Sequence, residues 1–200
     1  MDDELTLLER WSAGDLVAGE QLCLRHHPAI YRFFEYKIAD EADDLTQQAF
    51  LACVTSRDRF RGTSSFRTYL FAIAKNVLYS RLRQKAKHIH VDLDASSIEE
   101  IMTSPSERLG RQRDAARLRA ALRQLPVAQQ VLLEFHYWHD LEMAALAEVF
   151  ETTPGAIRVR LLRARRALRE RLELAGDLPA ADDRLSSSLH ERDLDPDETG

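Results

Sequence analysis

The chain has 200 residues, of which 44% are hydrophobic and 30% charged, and a net charge of −5, the balance of a globular protein able to bury a core rather than of a disordered chain. Its two cysteines, Cys23 and Cys53, lack the spacings of a disulfide framework or a zinc site, and no uncharged apolar run approaches the roughly 18 residues of a membrane span. Asp2, Asp3 and Glu4 stand where a secretory signal would be basic, so a cytoplasmic location without membrane insertion is expected. Seven glycines and six prolines are few beside the abundant Leu, Ala, Arg and Glu, which favours long helices and an all-α fold.

In chain order, apolar residues recur at helical spacing from Leu5 to Ile38, with Gly14 dividing the stretch into two helices. Asp40 to Ser56 carries a third, because Leu45, Ala49, Ala52 and Cys53 fall on one face. A loop containing Gly62 and a Thr-Ser-Ser run leads to an N-cap and a fourth helix over 65–84. Residues 88–107 hold no basic group, several serines and no sustained periodicity, as a linker would. Four more helices are expected over 109–125, 127–138, 141–150 and 154–174. Beyond Gly176 the tail is acidic and Ser-rich, too poor in apolar residues to offset its ordering entropy. The expected architecture is two small helical domains, 1–87 and 111–175, joined by a flexible linker at 88–110 and followed by the tail, 176–200.

Charge is unevenly divided along this plan. Residues 57–87 carry +8 and residues 154–175 carry +5, whereas the segments 1–56, 88–107 and 176–200 are all acidic. Local fields rather than net charge govern binding, so two separated basic helices keep a nucleic-acid partner open.

The C-terminal basic helix follows its predecessor after only about three residues. Asp140 is a candidate cap for the helix ending near Phe150; Thr153 then caps the next, with Pro154 at the first helical position, where its missing N–H costs nothing. That spacing belongs to a helix-turn-helix, whose second helix enters the major groove. Ile157, Leu161, Ala164, Leu168 and Leu172 form its apolar stripe, and seven arginines from Arg158 to Arg171 cover the rest. Only Glu170 and Glu173 are available to pair them, so DNA contact outweighs a solvated ion-pair face.

The N-terminal basic stretch, RFRGTSSFRTYLFAIAKNVLYSRLRQKAK at 59–87, interleaves aromatics with Arg and Lys, as unpaired nucleic acid requires. Phe66, Leu70, Ile73 and Val77 also follow a helical stripe, however, and by pattern alone the aromatics are packing residues more often than base platforms.

At this point DDLTQQAF and DRFRGTSSFRTYLFAIAKN, within residues 42–82, resemble the second conserved region of extracytoplasmic-function sigma factors of the sigma-70 family. LPVAQQVLLEFHYWHDLEMAALAEVFETTPGAIRVRLLRARRALRERL, residues 125–172, looks like that family's fourth region, in the right order and spacing. The resemblance implies a non-enzymatic initiation subunit, without cofactor or metal, that binds RNA polymerase core through the beta-prime clamp and beta flap and recognises promoter DNA. Members are commonly held by an anti-sigma factor. Carried over by position, it implies that Asp44, Leu45, Gln47, Gln48 and Phe50 dock the clamp. It implies that Arg59, Arg61, Phe66, Tyr69, Lys75 and Asn76 melt and read the minus-ten element. Thr153, Arg158, Val159, Arg160, Leu162, Arg163 and Arg165 fall where the minus-thirty-five element is read, and the linker would thread toward the polymerase active-site and RNA-exit channel. Gln48 stands where the family usually has Glu, Tyr69 where Trp is common, and Val159 where Ser is frequent.

The rival reading is a regulator that uses the helix-turn-helix alone, its N-terminal half serving dimerisation or a ligand. A catalytic or metal centre is not expected: His136 and His139 sit three apart at a helix end with no cysteine or further histidine to complete a site, and no Gly-rich phosphate loop or nucleophile elbow occurs.

Overall fold

The computed structural model of the chain describes residues 3–57, 60, 64–86, 92–101 and 113–174; Arg59, Arg61 and the acidic tail lie outside them. The described residues form helices α1 (Glu4–Ser12), α2 (Leu16–Glu35), α3 (Ala42–Thr55), α4 (Phe66–Lys85), α5 (Ile98–Ile101), α6 (Arg113–Arg123), α7 (Val127–Tyr137), α8 (Met143–Val149) and α9 (Pro154–Leu174), with a 3₁₀ turn at Ala39–Glu41. Sequence patterning predicts all but α5, a single turn within the expected linker.

Local chemistry explains several boundaries. Gly14, at φ +101°, turns the chain between α1 and α2 in a conformation that side-chain-bearing residues rarely adopt. Asp15 then caps α2 by accepting from the Val17 and Ala18 amides and pairs with Arg10 of α1, Nη2 to Oδ2 2.7 Å. The Arg10 hydrogen bond, seconded by the Ala18 amide, lowers the Asp15 pKa. Ser65 caps α4 by accepting from the Thr68 amide at 3.1 Å, as expected. Asp140 departs from expectation. Its φ is +48°, so it turns the chain out of α7 in the left-handed region, and the position before α8 falls to Glu142, which makes no side-chain cap bond.

The N-terminal unit is α1–α4. Leu7, Trp11, Leu22, Ile30, Phe33, Leu45, Phe66, Leu70 and Leu78 are fully buried there, and the Trp11 and Phe66 rings meet edge to face at 5.6 Å. Gly19 lets α1 and α2 approach so closely that a Cβ added to it would lie 2.3 Å from Trp11 Cδ1. The C-terminal unit is α6–α9, in which the predicted stripe of Ile157, Leu161 and Ala164 is buried and faces α7 and α8.

The two units are joined by more than a tether. Phe135 of α7 lies 5.2 Å from Phe33 of α2 and 5.0 Å from Phe71 of α4, so one hydrophobic cluster runs through both. The connecting segment is partly docked as well. Leu93 and Ile98 are buried, the Val127 amide donates to the Ser96 carbonyl, and the Ala128 amide donates to that of Leu93. Ser97 and Glu100 cap α5 reciprocally, the Ser97 amide donating to the Glu100 carboxylate at 2.8 Å and the Glu100 amide to Ser97 Oγ at 3.3 Å, the pattern of a capping box.

Candidate nucleic-acid interface

The C-terminal basic helix is built as expected at its start. Thr153 Oγ1 accepts from the Ala156 amide at 3.2 Å, and Pro154 opens α9. The turn before it is tight because Glu151 adopts φ +51°, a left-handed position costing roughly 1–2 kcal/mol for a residue with a Cβ. Burying Ile157 and Leu161 on one side of α9 turns Arg158, Val159, Arg160, Leu162 and Arg163 outward. Val159 and Leu162 are 48% and 64% exposed, an apolar pair set among guanidiniums at the N-terminal half of the helix. That mixture offers bidentate donors for a guanine edge beside apolar contacts for a thymine methyl. Arg165 is placed differently: it is half-buried and its Nη1 lies 3.4 Å from Tyr137 Oη, turned toward α7 rather than the outer face. Arg166 pairs with Glu170 at 3.2 Å in the open, where such a pair stabilises little.

In the N-terminal unit, the α3 residues expected to dock a partner divide into two sets. Asp44, Gln47 and Gln48 are exposed on one face, continued by Leu51 at 65% exposure, a position the sequence reading leaves out. Leu45 is 1% exposed and belongs to the core, consistent with its place on the apolar face, while Phe50 is half-buried under the stacked His27 ring. Beside Asp44 and Gln48, a groove of about 380 Å³ runs between α3 and α4 past Val77 and Arg81. Its edge is fixed by Glu41, whose carboxylate accepts from Arg81 and Lys85 of α4. The Arg81 hydrogen bond, joined by that of Lys85, holds the Glu41 carboxyl at about 2 against the opposing effect of burial.

The residues expected at a melting face are more altered. Phe66 is 1% exposed, packed against Trp11 and His26, and is core rather than an open stacking platform. Tyr69 is half-buried; its hydroxyl donates to the Ser56 carbonyl at 2.9 Å, and its ring lies 5.0 Å from Phe60. Asn76 is exposed. Lys75 is not: at 7% exposure its ammonium donates to the Val149 carbonyl at the end of α8, 2.6 Å away, and lies over the Phe150 ring at 5.4 Å. Burial lowers its pKa, partly countered by the nearby Glu151 charge.

Sequence reasoning also missed the pair that closes the two units together. Lys37, just past α2, is fully enclosed and donates to the Phe33 carbonyl at 3.0 Å and to the Glu134 carboxylate of α7. Burial pushes the Lys37 pKa down and the Glu134 pKa up, while the mutual attraction opposes both shifts. A lone lysine and a lone glutamate far apart in sequence carry no periodic signal that could have paired them. Among the described residues, no cluster of His, Cys, Asp or Glu could hold a metal ion, and no helix is long and apolar enough to cross a membrane.

A chain whose described residues are helical, with an exposed arginine-rich helix after a tight turn at one end and a second basic helix, α4, in the other unit, has the features of a DNA-binding protein. The comparisons narrow this class. Residues 22–88 match the Sigma-70 region 2 model and residues 115–168 the Sigma-70 region 4 model, together more than half of the chain. The RNA polymerase sigma-H factor of Pseudomonas aeruginosa is 28% identical over 183 residues, covering 86% of this chain and 95% of that protein. The ECF RNA polymerase sigma-E factor of Escherichia coli is 26% identical over 186 residues, covering 86% and 97%. Among solved structures, CnrH in complex with the cytosolic domain of CnrY superposes with a TM-score of 0.66 at 22% identity, covering 86% of this chain and 99% of that one. The sigma factor RpoE in complex with the anti-sigma factor NepR from Bartonella quintana gives 0.59 at 22% identity, covering 77% and 96%. The chain belongs to the sigma-70 family, in its extracytoplasmic-function group. It is a sigma factor, and the match of its N-terminal half to region 2 displaces the reading as a stand-alone regulator.

Proposed function

We propose that the chain divides the work of promoter recognition between its two units while riding on RNA polymerase core, in the cytoplasm and without catalytic chemistry of its own. The exposed α3 face of Asp44, Gln47, Gln48 and Leu51 docks the beta-prime clamp, and the C-terminal unit meets the beta flap. The outer face of α9, with Arg158, Val159, Leu162 and Arg163, reads the minus-thirty-five element. The basic helix α4 and the preceding Arg59 and Arg61 open and hold the minus-ten element, with the exposed Asn76 facing the DNA and Phe66 supporting the helix from beneath. Strand opening then draws on binding: capturing unstacked bases offsets a few kcal/mol of unstacking each, and phosphate contacts add salt-sensitive affinity. An anti-sigma factor is a further expected partner.

The observation that carries this reading is the cationic-apolar outer face of α9, arginines flanking Val159 and Leu162 at 48% and 64% exposure on a helix capped at Thr153. The test is promoter binding by holoenzyme reconstituted with Arg158→Ala. Loss confined to one position of the upstream element is expected, whereas equal loss on every sequence would reject base reading by Arg158.

A further inference from the structure

We propose that the cleft between α2 and α6 is a binding site for a small phosphorylated ligand, two or more phosphoryl groups joined to a flat heterocycle as in a nucleoside diphosphate. The inference goes beyond the promoter-recognition reading and does not depend on it, since it concerns the chain by itself.

The cleft has a volume of about 360 Å³, within the range of roughly 300–1,000 Å³ that small-molecule sites occupy. Four arginines line it, Arg32 of α2, Arg67 of α4, and Arg119 and Arg123 of α6. Among the described residues none of the four pairs with a carboxylate. Arg119 and Arg67 lie over the Tyr36 and Phe71 rings, and Arg123 donates to the Tyr36 carbonyl at 3.4 Å. The carboxylate in the lining, that of Glu134, is already engaged by Lys37. Guanidiniums gathered without counter-charge repel one another. A multiply charged anion relieves that repulsion and takes their paired N–H donors in bidentate hydrogen bonds, a geometry that phosphoryl oxygens match. A monoanion would leave most of the charge uncompensated.

Two further features call for a ring on the ligand. Tyr36 and Trp138 line the same cleft and are 42% and 47% exposed, offering flat faces on which a heterocycle stacks. Gln130 forms part of the wall at 2% exposure, and its side-chain oxygen has no hydrogen-bond partner among the described residues. A buried acceptor without a donor is rare in folded chains, and an exocyclic amine or a ribose hydroxyl supplies one. Pyrophosphate alone would satisfy the arginines and leave Gln130 and the rings unused.

Titration of the purified full-length chain with ADP in metal-free buffer, followed by tryptophan fluorescence and calorimetry, tests the site. Trp138 is the exposed tryptophan and Trp11 the buried one, so quenching that Trp138→Phe abolishes locates the ligand. Saturable binding is expected, at least about tenfold tighter for ADP than for pyrophosphate and weakened at least about tenfold by Arg32→Gln or Arg119→Gln, each of which removes charge-assisted hydrogen bonds. Both arginines are exposed, so these exchanges should retain helicity by circular dichroism. Arg166→Gln removes the same charge from the open surface of α9 and should shift affinity by less than about twofold. Gln130→Leu should weaken ADP and leave pyrophosphate unchanged. No saturable ADP binding, or equal weakening by Arg166→Gln and the cleft variants, would overturn the proposal. So would ADP and pyrophosphate binding alike, or an oligoglutamate peptide binding where ADP does not, which would assign the cleft to an acidic protein partner.

Discussion

The Lys37 ammonium and the Glu134 carboxylate, 97 residues apart, meet with their side chains 0% and 7% exposed, and with the Phe33–Phe135–Phe71 cluster they join the two halves of the molecule. A buried ion pair is weak evidence of stability but costly to break from one side, since a lone charge is left without water or partner. Glu134→Ala is therefore expected to cost about 3–5 kcal/mol, with Lys37→Met/Glu134→Leu recovering most of it. Urea unfolding of the two singles and the double checks this; singles within about 1 kcal/mol of wild type would show that the pair is not held in the dry seam.

The same seam makes the folded state sensitive to acid. Burial, assisted by Lys37, Arg67 and Arg32 and opposed by Asp140, holds His139 at about 3, so it is neutral in the packed state at any ordinary pH. Once released to water it would titrate at its usual value near 6.5. Above that value neither state binds the proton and nothing is lost. As pH falls from about 6.5 toward 3 the unfolded chain gains a proton that the folded one refuses, and stability declines by up to about 1.4 kcal/mol per pH unit. Unfolding midpoints compared between pH 7.5 and 5.0 should fall for wild type and fall less for His139→Phe, which keeps a ring against Phe71. An unchanged slope in the variant would assign the acid sensitivity elsewhere, with His26, whose pKa burial also lowers against the pull of Glu4, the next group to examine.

Gly19 and Trp11 set the spacing of α1 on α2. Gly19→Ala places a methyl where the indole already lies, and overpacking of this kind costs about 1–3 kcal/mol. A thermal scan reads the loss, and the fluorescence of Trp11 should report its displaced ring; a variant as stable as wild type would mean that the two helices can move apart freely.

At the tight turn, Glu151 holds a left-handed conformation with its side chain exposed. Glu151→Gly should raise stability by up to about 1 kcal/mol by relieving the strained φ, less the entropy glycine loses on folding. A measured loss exceeding that amount would indicate that the carboxylate, near Lys75, contributes more than the backbone strain costs.

Much of this arrangement is legible in the residues. The α9 stripe and the Thr153 cap appear where the spacing puts them, because a three-residue turn followed by Pro at the first helical position has few alternatives. Where apolar pattern and family resemblance conflict, the pattern gives the better placement: Leu45 and Phe66 lie on predicted apolar faces and are buried, although the resemblance put both at binding positions. What stays hidden is non-local. Leu93 and Ile98 are two apolar residues in a polar stretch, too few for a period, yet both are buried, and the Leu93 carbonyl accepts from the Ala128 amide at the start of α7. Lys37, Glu134 and Phe135 belong to different units, and only the packing of those units shows that they meet. Asp140 misleads for a local reason, since aspartate serves equally as an N-cap and as a left-handed terminator.

The most direct test is in vitro transcription with the purified chain, bacterial core polymerase and a library of promoter fragments. Sequence-specific initiation is predicted, dependent on both core and chain and impaired by exchanging Asp44, Gln47 and Gln48 for alanine. A chain that fails to associate with core, or that leaves the library transcribed as by core alone, would contradict the account.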